Sequence, residues 1–140
     1  MWSVEHTAPS NAGRETLWKL FAEPGAWPGW NPTIGEASFD GPIANGTTGR
    51  VKPKRGPAAK VVLADVQEPA GFTTVSRLPG ARLRIVHELA EARGGGSLVT
   101  ERAVLDGPLA GIWAVVLGRQ LRHDMTAAVE GLAVAGTGVR

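Results

Sequence analysis

The chain has 140 residues, a net charge of +2 and no cysteine. This length suits one ordinary domain, so we expect residues 1–140 to form a single domain. The lack of cysteine excludes disulfides, thiol nucleophiles and cysteine-ligated metal clusters, and is typical of a reducing compartment. No apolar run approaches the roughly 18 residues that span a bilayer, and the N-terminal segment lacks the basic and apolar order of a secretion signal. We therefore expect a cytoplasmic protein without stable membrane insertion.

The first third of the chain alternates between strand and helix patterns. Residues 2–7 alternate between apolar and polar side chains, as in a strand packed on one face. A cluster of helix and strand breakers at residues 9–13 ends this strand. Residues 14–23 then carry apolar side chains at helical spacing, until Pro24-Gly25 ends the helix. Residues 26–32 contain too much proline and glycine for a long helix, so they predict one helical turn and an extended segment.

The middle of the chain is a succession of strand patterns separated by turns rich in glycine, proline and asparagine. The short connections predict an antiparallel meander. The predicted strands cover residues 34–39, 48–53, 60–67, 72–77, 82–92 and 97–105.

A long C-terminal helix is predicted to open at Gly107-Pro108 and to run to about Ala135. At 1.5 Å per residue it would extend about 40 Å, longer than any of the strands. One such helix can cover the concave face of a curved sheet. We therefore predict an α+β helix-grip fold, in which about seven antiparallel strands wrap around the C-terminal helix and two short helices follow the first strand.

Several short motifs occur in an order that spans nearly the whole chain. They are Thr16-Leu17-Trp18-Lys19-Leu20-Phe21-Ala22, Trp27-Pro28-Gly29-Trp30-Asn31-Pro32, Gly46-Thr47-Thr48-Gly49, Leu78-Pro79-Gly80, His87-Glu88-Leu89, Ser97-Leu98-Val99-Thr100 after a glycine hairpin, and Asp106-Gly107-Pro108-Leu109. In this order they resemble the START-like or Bet v 1-like (SRPBCC) superfamily, in particular its polyketide cyclase/dehydrase-like branch. The resemblance implies a cavity between sheet and helix that binds lipids, polyketides or other apolar molecules. It implies no single reaction, because the superfamily mixes enzymes, carriers and partner-binding proteins.

His87 and Glu101 are the candidate catalytic residues. His87 shares a strand face with apolar residues, and Glu101 is in phase with the more apolar face of the next strand, so both are predicted to point inward. A hairpin on the glycines pairs His87 with Glu101 if the loop has five residues, or with Ala103 if it has three. A carboxylate beside an imidazole would suit proton transfer. The alternative is that His87 makes a buried polar contact while Glu101 faces solvent.

The predicted ligand-binding residues are aromatic, aliphatic and polar side chains on the inward faces. Indole rings offer stacking area and a hydrogen-bond donor, although core packing is the alternative for those on helices. Two polar residues interrupt the apolar stripe of the long helix, and they either bind a ligand or mark where that helix reaches solvent. The predicted set is Trp18, Trp30, Leu83, Ile85, Val99, Trp113, Gln120 and Asp124, with Trp27 as a further aromatic candidate.

Other partners are not indicated by the sequence. The basic run at residues 50–55 lacks interleaved aromatic residues and is read as a solvated hairpin, so no nucleic acid is expected. His6 and His123 lack metal-binding spacing, and we expect neither a metal nor a cofactor. The expected partner is a hydrophobic small molecule, bound by a monomer or homodimer. If the chain is an enzyme, we expect a cofactor-independent cyclase, aromatase or dehydratase. The alternative is a non-catalytic interaction protein, co-chaperone-like or toxin-like.

Overall fold

The computed structural model describes residues 1–137 and has the predicted α+β helix-grip architecture. Seven strands, two α-helices and one short 3₁₀ helix follow the predicted order. Their bounds are β1 (Trp2–Ser10), α1 (Arg14–Phe21), the 3₁₀ helix (Pro24–Gly29), β2 (Ile34–Phe39), β3 (Thr48–Pro53), β4 (Ala59–Gln67), β5 (Gly71–Leu78), β6 (Ala81–Glu91), β7 (Ser97–Asp106) and α2 (Ala110–Thr137).

The strands form one curled antiparallel sheet in the order β1-β7-β6-β5-β4-β3-β2. The meander from β2 to β7 joins strands that are adjacent in sequence, and β1 returns to pair with β7 at an edge. β1 continues through Pro9 to Ser10, so the prediction that the breaker cluster ends this strand at residue 9 is wrong. A proline is tolerated here because an edge strand has one side without a ladder partner.

Both α-helices have slightly different bounds from those predicted. α1 ends at Phe21, two residues early, although the Ala22 N–H still bonds to the Trp18 carbonyl. α2 begins at Ala110 rather than at Gly107-Pro108, because a turn in which the Ala110 N–H bonds to the Gly107 carbonyl comes first. Its 28 residues extend about 42 Å. No helix of residues 1–137 is long and apolar enough to cross a membrane.

The position of α2 divides the concave face of the sheet. Its main sheet neighbours are β1 and β7, with a smaller contact to β6. The C-terminal half of α2 is tied down by the Ser10 hydroxyl, which donates to the Ala133 carbonyl at 2.8 Å. It also approaches the end of the 3₁₀ helix so closely that a Cβ at Gly131 would overlap the Trp30 carbonyl oxygen. The space over β3 to β6 therefore has to be closed by other elements.

The packed core lies between α1, the C-terminal half of α2 and the near ends of β6 and β7. Its largest members are less than one-tenth exposed: Leu17, Trp18, Phe21, Trp27, Trp30, Leu63, Phe72, Leu89, Val99, Val129 and Leu132. Aromatic rings in this core meet mostly edge to face, as Phe21 and Phe72 do with centroids 5.0 Å apart. The core thus fills one half of the space under the helix and leaves the other half open.

Candidate ligand-binding site

A cavity of about 230 Å³ occupies the part of the concave face that α2 leaves open. Its floor is formed by β3 to β7, one wall by α2 and the other by the 3₁₀ helix and the segment after it. The lining is mostly apolar: Phe21, Trp27, Trp30, Ile34, Val51, Pro53, Pro57, Ala59, Val61, Phe72, Leu83, Ile85, Leu121, Met125 and Ala128. The polar lining residues are Asn31, Thr33, Thr74, Ser76, His87, Glu101 and Asp124. An apolar cavity with few polar groups is the usual form of a small-molecule site.

His87 and Glu101 meet at the floor of this cavity. The sequence left two hairpin registers open, and the structure has the five-residue loop that pairs His87 with Glu101. His87 Nδ1 lies 3.5 Å from Glu101 Oε2, and the side chains are only 13% and 14% exposed. Gly94 and Gly95 in the loop have φ angles of 87° and 91°, which glycine adopts without strain. The glycine hairpin therefore sets the register that joins the two side chains.

His87 is held by aromatic neighbours as well as by Glu101. The Phe72 ring, on the adjacent strand, stacks on the imidazole with centroids 4.5 Å apart and an interplanar angle of 19°. Phe21 approaches it edge-on, at a centroid distance of 5.6 Å. The stacked Phe72 ring and the Glu101 contact at Nδ1 together hold the imidazole in one orientation.

Glu101 belongs to a row of polar residues beneath α2. Its partner on β1 is His6, whose Nε2 lies 3.6 Å from Oε1 of Glu130 on α2. On the other side, the negative charge of Glu101 contributes to raising the pKa of Asp124 above its usual 3.8. The larger cause of that rise is burial, while the hydrogen bond from Gln120 and the nearby His123 act in the opposite direction. The cavity wall thus contains a carboxyl group, that of Asp124, whose raised pKa makes it harder to ionise.

Trp30 contributes an unused hydrogen-bond donor to the cavity wall. Its side chain is buried, and its indole Nε1–H has no acceptor among residues 1–137. By contrast, the Trp27 indole donates to the Phe21 carbonyl at 3.1 Å. A buried donor without an acceptor costs about 1–3 kcal/mol, so this N–H favours a ligand with an acceptor atom.

A second recess of about 300 Å³ adjoins the cavity and shares Thr33, Pro53 and Asp124 with it. Its outer side carries Lys54 and Arg55, from the basic run noted in the sequence. The rim beside Asp124 is therefore basic, whereas the interior is apolar.

Of the eight residues predicted to bind the ligand, four line the cavity. These are Trp30, Leu83, Ile85 and Asp124. Val99 does not line it: it lies in the packed core, paired with Leu89 and Ala8. The alternation pattern correctly predicted that Val99 points to the inner face of β7. It could not predict that α1 and α2 fill the space over this part of the strand.

The other three predicted ligand-binding residues also lie outside the cavity wall. Trp18 packs in the core, edge to face with Phe72 at 6.1 Å. Trp113 donates its indole N–H to the Pro79 carbonyl at 2.8 Å, which fixes the start of α2 to the β5–β6 turn. Gln120 lies in the outer recess, where its amide donates to Asp124 Oδ1 at 2.7 Å. Each has a packing or hydrogen-bonding role that single-sequence facing does not reveal.

Two aromatic residues of the cavity wall were not predicted from the sequence. Phe21, on α1, and Phe72, on β5, both line the cavity and contact His87. Trp27 was named only as a further candidate, and it lines the cavity wall. Phe72 follows Gly71 at the start of a strand in phase with the buried Thr74, a pattern that could have indicated an inward ring. The contact of Phe21 with His87 is tertiary and leaves no local pattern.

No group of three or more His, Asp or Glu side chains with metal-binding geometry occurs in residues 1–137. The ionisable groups of the cavity wall are His87, Glu101 and Asp124. These three groups lie in the wall of a mostly apolar cavity.

Comparisons with known proteins agree with this architecture. The model of a family described as polyketide cyclase / dehydrase and lipid transport matches residues 1–135. A search of curated proteins gives no match. Among solved structures, a START superfamily protein from Mycobacterium smegmatis has a TM-score of 0.70 at 15% identity, over 95% of this chain and 97% of that one.

Two further solved structures are similar in fold. Norcoclaurine synthase from Thalictrum flavum, in complex with dopamine and hydroxybenzaldehyde, has a TM-score of 0.75 at 10% identity, over 99% of this chain and 88% of that one. The di-domain ARO/CYC StfQ from the steffimycin biosynthetic pathway has a TM-score of 0.75 at 13% identity, over 98% of this chain and 52% of that one. Identities this low show a shared fold and not a shared reaction.

Proposed function

Because this chain belongs to the polyketide cyclase / dehydrase and lipid transport family, we propose that its cavity binds one small hydrophobic molecule with a hydrogen-bond acceptor and exchanges a proton with it through His87. The observation that carries this proposal is the His87–Glu101 contact on the floor of an otherwise apolar cavity. Buried ionisable pairs are costly in a site that only has to hold an apolar molecule.

The size of the cavity narrows the ligand class. Its volume of about 230 Å³ lies below the roughly 300–1,000 Å³ typical of pockets for drug-sized ligands. A one-ring or two-ring aromatic molecule or a short polyketide-like chain fits this space better than a lipid with two long chains. The aromatic wall of Phe21, Trp27, Trp30 and Phe72 also favours a flat ligand, because offset and edge-to-face ring contacts are attractive.

The polar groups of the cavity suggest how the ligand is oriented. The unpartnered Trp30 N–H is suited to donate to a ligand carbonyl or phenol oxygen. His87 Nε2 would then face the carbon next to that oxygen. Glu101, in contact with Nδ1, would fix the tautomer and stabilise the imidazolium that forms, as a positioning residue.

A dehydration follows from this arrangement without a cofactor. His87 Nε2 takes the proton from the carbon beside a ketone, and the electron pair of that C–H bond forms an enolate. The enolate then expels a β-hydroxyl group, which takes the proton from the His87 imidazolium and leaves as water; this gives a carbon–carbon double bond and returns His87 to its neutral form. The balance is the loss of one water, and no oxidant or reductant is required. The norcoclaurine synthase and ARO/CYC neighbours support this ligand class by analogy of fold.

The binding part of the proposal is tested with two matched tryptophan variants. Trp30→Phe keeps a ring in the wall but removes the unpartnered donor, so affinity for an aromatic ketone should fall about fivefold to tenfold with little change in stability. Trp113→Phe removes a donor that already bonds to Pro79, so it should lower stability and leave affinity unchanged. The ligand is found by native mass spectrometry and a thermal-shift screen of aromatic ketones and phenols. If no such compound binds, the binding proposal fails.

The catalytic part is tested separately on a β-hydroxyketone that binds. His87→Gln should abolish loss of water while leaving affinity within a few-fold, because the amide keeps polarity but cannot take up a proton. Glu101→Gln should reduce the rate less and shift its dependence on pH. A wild-type protein that binds the compound and never dehydrates it would restrict the function to binding.

A further inference from the structure

The start of α2 exposes an apolar patch, which we define as Leu109, Ile112, Val115 and Val116. These side chains are 40%, 60%, 86% and 62% exposed. They make up half of the large apolar residues that are exposed in residues 1–137, and they recur at the three- and four-residue spacing of one helix face. Apolar residues scattered singly are normal on a surface, whereas a contiguous group indicates an interaction site.

The opposite face of the same turns is already used for packing. Ala110 and Gly118 are buried, and a Cβ at Gly118 would lie 3.3 Å from the Trp2 ring. Trp113 is fixed to Pro79 by its indole hydrogen bond. This part of α2 is therefore apolar on both faces, a pattern that in a globular protein accompanies burial on both sides. The rest of the fold covers the face with Ala110 and Gly118, and the apolar patch on the other face is left without a packing partner within residues 1–137.

Basic residues follow the patch along α2. The sequence from residue 107 to residue 123 contains Arg119, Arg122 and His123 and no acidic residue. Leu109 packs over Gly80, so the β5–β6 hairpin lies at the same end of the sheet. The carboxylate on β7 at this end, Asp106, is bound to Arg84 at 2.8 Å. Within residues 1–137, neither Arg119 nor Arg122 takes part in an ion pair, and the Arg122 guanidinium lies 6.0 Å from the centre of the Trp2 ring.

The positive charge beside the patch distinguishes between two candidate partners, a second copy of this chain and an anionic lipid surface. A second copy docked through a two-fold axis would bring Arg119 and Arg122 of both copies into one interface, where residues 107–123 offer no carboxylate to pair with them, which is unfavourable. An anionic lipid surface satisfies both features, because its acyl region takes the apolar side chains and its head groups take the arginines. The helix would lie in the interface without crossing the membrane.

We propose that the apolar patch at the start of α2, together with Arg119 and Arg122 that follow it on the helix, docks this protein reversibly on an anionic membrane surface. Val116 precedes Leu121, the first cavity-lining residue of α2, by five residues, or about 7.5 Å of helix. A docked protein would therefore hold the cavity close to the lipid interface, where hydrophobic molecules concentrate. The docking surface does not depend on what the cavity binds.

The test is sedimentation of the full chain with vesicles. Vesicles of phosphatidylcholine and phosphatidylglycerol should bind it, and pure phosphatidylcholine vesicles should bind it far more weakly. The double variant Val115→Ser/Val116→Ser should lose at least tenfold in binding. The matched control is Val134→Ser, which removes an equally exposed valine (71%) near the other end of α2 and should bind as the wild type does.

The charge requirement is tested in the same assay. Arg119→Gln/Arg122→Gln should weaken binding to the anionic vesicles about 25-fold, at about fivefold per arginine, and added salt should weaken the wild type similarly. Arg93→Gln, in the β6–β7 loop, is the control and should have no effect. The proposal is overturned if the wild type ignores anionic vesicles, or if the two valine substitutions leave binding intact. A dimer in light scattering that these substitutions dissociate, without vesicle binding, would assign the patch to a second copy instead.

Discussion

The inner face of β6 passes through two different environments. At one end, Leu83 and Ile85 border the cavity and remain partly exposed; at the other, Leu89 is 2% exposed and packed in the core. The same strand face thus serves binding at one end and stability at the other. Its middle residue, His87, lies at the boundary, stacked on Phe72.

The cause of this difference is the path of α2 and α1 across the sheet. The C-terminal half of α2 and the whole of α1 converge over Leu89 and Val99, where apolar side chains interlock. Nearer its start, α2 lies against β1, where a Cβ at Gly118 would meet the Trp2 ring, and Leu83 and Ile85 line the cavity instead of packing in the core. The packed half can therefore carry the folding free energy, while the open half keeps a cavity with the buried His87–Glu101 contact at its edge.

The largest effect should come from a cavity made in the packed half. Leu132→Ala removes most of a side chain that is 1% exposed, and should lower the free energy of unfolding by about 2–5 kcal/mol. Leu83→Ala makes the same change in the open half, where the side chain already borders empty space, and should cost about 1 kcal/mol. Urea unfolding of both variants measures the difference. Equal losses would contradict the division into two halves.

The next effect concerns the contact that holds α2 over the cavity. A methyl group at Gly131 overlaps the Trp30 backbone carbonyl, which cannot move without displacing the 3₁₀ helix. Gly131→Ala should therefore destabilise the protein by about 1–3 kcal/mol and change Trp30 fluorescence. Gly111→Ala, on the same helix with nothing within 4 Å, is the control and should stabilise slightly, since alanine favours helix. A stabilised Gly131→Ala protein would show that the close approach is unimportant.

Much of this arrangement could be predicted from local patterns, because local physics determines it. Period-two alternation gave the inward faces of β6 and β7, and the glycine loop limited the pairing of His87 to two registers. The helix-grip fold was predicted because the C-terminal helix is longer than any of the strands and can cover the concave face of the sheet. These features depend on residues that are close in sequence.

The position of the boundary between core and cavity could not be predicted in this way. Val99 and Ile85 have the same alternation, and only the path of α1 and α2 makes one core and the other cavity wall. The same applies to Trp18 and Trp30, which both looked like aromatic wall. The stacking of Phe72 on His87 depends on a register between two strands whose partners the sequence left unspecified.

Filling the open half should separate binding from stability. Ile85→Phe enlarges a side chain that faces the cavity, so it should lower the affinity for an aromatic ketone at least tenfold and change the melting temperature only slightly. Val86→Phe places the same ring on the other face of β6 and should leave the affinity unchanged. Calorimetric titration and thermal unfolding of both variants measure this. If Ile85→Phe binds normally, the ligand lies elsewhere.

The smallest effect is a dependence of stability on pH that comes from Asp124. Burial, with a contribution from the Glu101 charge, raises the pKa of Asp124 in the folded protein, so its ionised form opposes folding. That destabilisation is fully present above the folded pKa and disappears as the pH falls toward 3.8, the usual value.

Asp124→Asn keeps the oxygen that accepts from Gln120 but cannot ionise. It should be more stable than the wild type at neutral pH, with the difference shrinking to nothing near pH 4 in urea unfolding series. Glu36→Gln, which changes an exposed carboxylate on β2, should show no such trend. If the difference in the free energy of unfolding between Asp124→Asn and the wild type stays constant across this pH range, the charge of Asp124 does not destabilise the folded protein. Ionised Asp124 would then lie in the cavity wall without lowering the free energy of unfolding.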